Sequence, residues 1–228
     1  MSPGDLSEEG LVLLVSDGRI ALQQTGRRAP GPVFVSFDDA ALSHRRRGGH
    51  NELLGKAIGW RREQPPAVVD TTAGFGRDAF VLADLGCRVR LCERQPVMAI
   101  LLQQAISEAV QSENAWLRAV AARMHLLELD ARELPPAQMN DVDVIYLDPM
   151  FAQARKAAPG KAMQALHLLA GDDAADAADL LSWARRQPVR RVVVKRARRA
   201  PDLGLDKPAH RLSGRAVRFD VYTGASAE

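Results

Sequence analysis

Residues 67–78, AVVDTTAGFGRD, constrain this chain more than any other stretch. Three apolar residues lead to Asp70, and a turn of small residues follows in which Gly74 and Gly76 are spaced by one. DAFVLADLG then carries helical apolar spacing and stops at Gly86. Strand, glycine turn and helix in that order leave backbone N–H groups at the helix start facing whatever lies beyond the strand. The dinucleotide fingerprint GxGxxG is not met, because position 79 is alanine. Taken alone, the turn also suits an ordinary helix start in another α/β protein.

From residue 67 onward, strand and helix patterns alternate. RVRLCE at 88–93 reads as a second strand, and 96–110 as a helix with Pro96 in its first turn. Residues 115–124 continue helically into a strand at 124–129. VDVIYLD at 142–148 is a fourth strand, 161–170 and 173–187 are helical, and RRVVVK at 190–195 is a fifth strand. VRFDVYT at 217–223 alternates, as an antiparallel strand at or near an edge does. VVD, VIYLD and VVVK are the nearly continuous apolar runs of parallel strands covered on both faces.

Ahead of this domain, 11–24 reads as a β-hairpin turning at Asp17-Gly18, and VFVSF at 33–37 as a third short strand. Residues 43–59 open on a basic run and close on apolar helical spacing at Leu53, Leu54, Ala57 and Ile58. Pro65 and Pro66 exclude helix from the polar stretch that follows. The chain thus divides into a small N-terminal lobe with a basic helix segment, 1–59, and a main domain, 60–228. Three short strands bury little by themselves, so the lobe is expected to lean on the main domain.

The 228 residues suffice for one substantial core, and 46% apolar with 26% charged residues is the composition of a globular chain. The net charge of +3 permits a polyanionic partner without requiring one. Cys87 and Cys92 lie in one short apolar stretch and read as buried thiols. No Cys/His cluster suggests a metal, and no run of 18 apolar residues or signal-peptide order suggests a membrane. A cytoplasmic protein with no metal and no membrane partner is expected; oligomeric state is not legible.

In a parallel sheet the ligand crevice lies beyond the carboxyl ends of the strands. Asp70, Glu93, Asp130 and Asp148 all fall at or just after such ends. The pattern D-x-x-x-G-x-G resembles the first motif of class I methyltransferases, which bind S-adenosylmethionine. On that reading Glu93, 23 residues after Asp70, accepts the ribose hydroxyls, with Arg94 beside it. Gly74 and Gly76 let the backbone approach the methionyl part. Arg77 suits the methionyl carboxylate, Asp78 is a cap-region acid or an ammonium acceptor, and Asp130 approaches the adenine amine.

LDPMF at 147–151 resembles the (D/N)PP(Y/F) loop of methyltransferases acting on exocyclic nitrogens, with Met150 in place of the second proline. Asp148 and backbone carbonyls around Pro149 can accept hydrogens from an aryl amine, and Phe151 can stack on a base. The chemistry needs orientation rather than a strong base: the amine lone pair must lie along the methyl–sulfur axis. Two basic stretches suit phosphates: His44, Arg45, Arg46 and Arg47, and a run from 185 to 199 that includes Lys195, Arg196, Arg198 and Arg199 and holds no acid.

Together FVSFDDAALSHRRRGG, VVDTTAGFGRDAFVLADLGCRVRLCER, VIYLDPMF and RVVVKR resemble the ribosomal RNA small subunit methyltransferase J family, over residues 11 to 224. The resemblance implies a class I, Rossmann-like α/β fold: a mostly parallel seven-stranded sheet with a late antiparallel strand, plus a small N-terminal β lobe. It implies S-adenosylmethionine as cofactor, 16S rRNA or the 30S ribosomal subunit as partner, and methylation of N2 of one guanosine near the 3′ end of 16S rRNA. Carried over, the cofactor set is Arg77 with Asp78, Glu93 with Arg94, Asp130 with Ala131, and Asp148. The chain departs from the family in having Asp130 and Ala131 where small hydroxyl residues are common. It has RAVRFD where GHRFD is common, so no catalytic histidine is placed there. Its N-terminus is short for the family, implying a reduced lobe. The residues alone leave two alternatives: amino-methylation of adenine or of another nucleic acid, and a non-catalytic RNA-binding or ribosome assembly protein.

Overall fold

The computed structural model describes residues 10–27, 29–38, 52–149 and 174–225. Strands β1 (Leu11–Ser16) and β2 (Arg19–Gln24) form the expected hairpin, with Asp17 and Gly18 both at positive φ in its two-residue turn. The segment 33–37 does not become a third strand; it makes one isolated bridge, Leu22 to Val33. Its side chains turn inward instead: Val33, Val35 and Phe37 are buried, and Phe37 stacks on Phe80 at 4.8 Å. Inward anchoring of these residues replaces a continued ladder.

Helix α1 (Glu52–Ile58) precedes β3 (Val68–Asp70), α2 (Arg77–Asp84), β4 (Val89–Cys92), α3 (Pro96–Gln111), α4 (Ala115–Ala121) and β5 (Met124–Leu127). Then come β6 (Val144–Leu147), α5 (Ala174–Arg185), β7 (Arg191–Ala197), β8 (His210–Ser213) and β9 (Val217–Thr223). The expected helix at 161–170 lies outside the described residues. The expected helical run from 96 to 124 is broken. Ser112 turns extended, and the Asn114 side chain caps α4 by accepting the N–H groups of Trp116 and Leu117.

Seven strands form one sheet in the order β5-β4-β3-β6-β7-β9-β8. β3 to β7 run parallel, and β9 is antiparallel to both neighbours. The late antiparallel strand is therefore next to the edge. The edge itself is β8, whose HRLS carries no apolar alternation and gave no strand signal.

Successive residues of the central strands face opposite sides. Val68, Leu91, Tyr146 and Val193 join the core beneath α1 to α4, while Val69, Cys92, Ile145 and Val194 join the core beneath α5. The first core also takes in Leu22 and Phe37, so residues on both sides of the linker at 60–66 share one apolar cluster. The hairpin is held to α3 by Gln104, whose Oε1 accepts the Ile20 N–H at 2.7 Å. Cys87 and Cys92 are free, buried thiols, each pushed up to about 12, chiefly by burial.

Candidate active site

The turn after β3 is fastened to the end of β6 before any ligand is considered. The Thr71 N–H and hydroxyl both donate to the Tyr146 carbonyl, at 2.9 and 3.0 Å. Thr72 Oγ1 accepts the Asp148 N–H at 2.7 Å. The carboxyl ends of the two adjacent central strands are thereby one rigid edge, with Asp70 and Asp148 on it.

Gly74 and Gly76 both adopt positive φ, at 53° and 68°. Gly74 donates its N–H to Glu93 Oε2 at 2.8 Å, and the Gln95 N–H donates to Glu93 Oε1 at the same distance. One backbone N–H on each oxygen fixes the plane of the Glu93 carboxylate and leaves it further acceptor capacity. Burial nonetheless raises its pKa, the backbone bonds opposing. Gly76 also answers to the core behind the turn. It is buried, and a Cβ there would lie 2.6 Å from Leu102 and 3.1 Å from Phe37. Glycine is required at this position by the core behind the turn.

Asp70 is 2% exposed, and burial pushes its carboxyl up to about 8, with Asp78, Asp148 and Glu93 adding to the rise and the Thr72 N–H opposing it. An acid with a higher pKa folded than unfolded binds more protons when folded between those values. Stability therefore falls as pH rises from about 4 to about 8, and Asp70 adds no slope outside that window. Asp70→Asn removes this slope. Its urea midpoint is expected to drop less than that of the wild type between pH 5 and pH 8, whereas parallel curves would show Asp70 ionised throughout.

Four groups meet near Asp70. Tyr146 Oη donates to Asp78 Oδ2 at 2.7 Å, and Lys195 Nζ donates to the same oxygen at 2.5 Å and to Asp148 Oδ2 at 2.8 Å. Burial opposes the charge of Lys195, but the Asp148 and Asp78 carboxylates outweigh it and hold the ammonium above its ordinary pKa. Tyr146, fully buried, is pushed well up by burial and by the same acids.

This corrects the assignment of Lys195 to a phosphate-binding surface: its ammonium is inside the site, bridging a helix-start acid and a strand-end acid. Arg196 is corrected too. It is 6% exposed, with Nη2 donating to the Pro201 carbonyl at 3.0 Å, so it cannot reach a phosphate. Arg198 and Arg199 are exposed. The acid-free run is answered from elsewhere in the chain, Arg185 by Asp206 and Arg190 by Asp143. His44 to Arg47 and Phe151 lie outside the described residues; Pro149 is half-buried beside Asp148.

At the far corner Asp130 differs from its expected role. Its Oδ1 accepts the Arg132 N–H and Nε at 3.0 and 2.9 Å, and its Oδ2 accepts Arg132 Nη2 and Arg94 Nη1 at 2.6 and 3.3 Å. These bonds, Arg132's foremost, hold the carboxyl down at about 2 and occupy its four acceptor directions. Asp176 of α5 engages the same two arginines at 2.8 Å each. Asp130 and Arg94 thus brace α5 against the ends of β4 and β5, with Ala131 buried beneath.

Residues 5–224 match the family model described as "Putative SAM-dependent methyltransferase". The chain is 42% identical to ribosomal RNA small subunit methyltransferase J of Cellvibrio japonicus, covering 97% of this chain and 86% of that one. It is 45% identical to the protein of that name from Stutzerimonas stutzeri, over 96% and 86%. This chain belongs to the ribosomal RNA small subunit methyltransferase J family. The crystal structure of an S-adenosylmethionine-dependent methyltransferase from Neisseria gonorrhoeae superposes with a TM-score of 0.78 at 36% identity, over 97% of this chain and 86% of that one. The fold is accordingly that of a class I methyltransferase, and this member of the methyltransferase J family is an enzyme that uses S-adenosylmethionine. The site fits that cofactor: a fixed carboxylate at Glu93, a glycine turn opening a helix, and a further acid at the adjacent strand end lie along one edge.

Proposed function

We propose that this protein methylates the exocyclic N2 of one guanosine in 16S rRNA, on the RNA or on the 30S subunit, in the bacterial cytoplasm. The observation that supports this most is Asp148. It stands at the carboxyl end of β6, its backbone tied to the β3 turn and its carboxylate held by Lys195, beside a cofactor edge built on Glu93. Family membership adds the substrate, since the curated relatives are small-subunit rRNA methyltransferases by name.

When bound, S-adenosylmethionine supplies a methyl group already activated on a sulfonium. Glu93 takes the ribose hydroxyls, and Arg77 and Asp78 in the first turn of α2 hold the methionyl carboxylate and ammonium. Asp70, buried beneath the turn with its carboxyl pushed up to about 8, holds the Thr72 N–H. Asp148 and the backbone at Pro149 accept the hydrogens of the target amine and so aim its lone pair, while Phe151 stacks on the base. The base leaves its helical stack to reach this edge. After transfer the amine sheds one proton; Asp148 orients that group and needs no unusual basicity. Arg198, Arg199 and the His44 to Arg47 run supply phosphate contacts.

Labelled cofactor incubated with subunits from a strain lacking the gene tests the reading. Label is expected in N2-methylguanosine of 16S rRNA after digestion; label only in methyladenosine would overturn it. Glu93→Ala is expected to weaken cofactor binding by about 1.5–3 kcal/mol, the worth of a charge-assisted contact. Unchanged affinity by calorimetry would remove Glu93 from the ribose.

A further inference from the structure

Lys195 is explained by neither a phosphate contact nor the cofactor set. Its ammonium is shared between Asp148 Oδ2 at 2.8 Å and Asp78 Oδ2 at 2.5 Å, and Asp78 Oδ2 also accepts the Tyr146 hydroxyl. Among the described residues, the charged and titratable groups near it are Asp78 from α2, Tyr146 and Asp148 from β6 and its end, and Asp70 from the end of β3, with Glu93 beyond. Without Lys195, no cation would stand between the carboxylates of Asp148 and Asp78. Lys195 donates to Asp148 as to a carboxylate, and a carboxylate only accepts hydrogen bonds.

That constraint separates the two purines that bear an exocyclic amine. Guanine places N1–H beside its N2 amino group, two donors side by side. Adenine places the N1 lone pair beside its N6 amino group, an acceptor next to a donor. A carboxylate that can only accept matches the first edge and repels the lone pair of the second.

We infer that Lys195 is the positioning residue that sets target specificity: by keeping Asp148 acceptor-only, it favours a purine edge with two adjacent donors over one with a lone pair beside the amine. The inference rests on the guanine-N2 reading above and explains how this site would enforce it.

The test uses the full chain in single-turnover transfer to 16S rRNA substrates that carry guanosine or 2-aminopurine at the target position. 2-Aminopurine keeps the C2 amine and lacks the N1–H. The wild type is expected to methylate it at least about tenfold more slowly than guanosine, the equivalent of one hydrogen bond to a charged acceptor. Lys195→Met is expected to slow guanosine more than 2-aminopurine, narrowing that ratio, and Lys195→Arg, which keeps the charge, to preserve it. Equal wild-type rates on the two substrates would overturn the inference, and so would a Lys195→Met enzyme slowed equally on both. Should Lys195→Met fail to fold, Lys195→Gln is read in the same comparison, and an unchanged ratio in that variant would equally overturn the inference. A wild type inactive on guanosine but active on another base would refute the underlying reading instead.

Discussion

Asp148→Ala is expected to slow methyl transfer by about 10²- to 10³-fold in single turnover, the scale of losing orientation at the reacting atom. The substitution removes the carboxylate proposed to accept the target amine and leaves the Asp148 N–H, which holds Thr72, in place. Its side chain is 39% exposed, so the change opens no core cavity and the fold is expected to survive. Lys195 keeps its second partner, Asp78. On the reading that this carboxylate orients the target amine, the loss falls on transfer, and cofactor affinity is expected to change by less than about tenfold. Rapid-quench transfer with prebound cofactor, beside calorimetric titration of cofactor, separates the two effects. A transfer rate within a few-fold of wild type would take Asp148 out of the reacting geometry.

Gly76→Ala is expected to act through the fold. Its φ of 68° is a left-handed conformation, which costs a residue with a Cβ about 1–2 kcal/mol. The added carbon would also sit 2.6 Å from Leu102 and 3.1 Å from Phe37, an overpacking cost of about 1–3 kcal/mol. The sum, about 2–5 kcal/mol, lowers the melting temperature by roughly 4–20 °C for a chain of this size. Gly18 is the internal control. It has φ 74° with nothing within 4 Å of a Cβ, so Gly18→Ala carries only the backbone part. Equal losses in the two variants, read by thermal unfolding, would show that Leu102 and Phe37 give way at no cost.

The glycine turn and its flanking strand and helix were legible because all their determinants are local: an apolar run, positive-φ glycines and helical spacing within twenty residues. The same holds for the hairpin at Asp17-Gly18 and for the acids closing β3, β4 and β6. What the sequence hid was set by distant partners. Lys195 belongs to a basic run in sequence, yet its carboxylates are Asp78 and Asp148, 117 and 47 residues away. Asp130 looked like an available acceptor until Arg94 and Arg132 closed on it and Asp176 on them. Arg196 is covered by the turn at Pro201, and Tyr146 passed for one more apolar strand residue although its hydroxyl orients Asp78. Edge strand β8 has no buried face to impose a pattern, and VFVSF has the pattern without a neighbour to pair with beyond Val33. The strand position of Lys195 was the one available hint, since a basic residue closing an apolar parallel strand points at the crevice.

A crystal structure of the complex with S-adenosylhomocysteine tests the central claim most directly. The ribose hydroxyls are expected within hydrogen-bonding distance of Glu93, the amino-acid end against the first turn of α2, and the sulfur facing Asp148 and Lys195. A nucleoside bound away from Glu93, or a sulfur directed away from the end of β6, would contradict it.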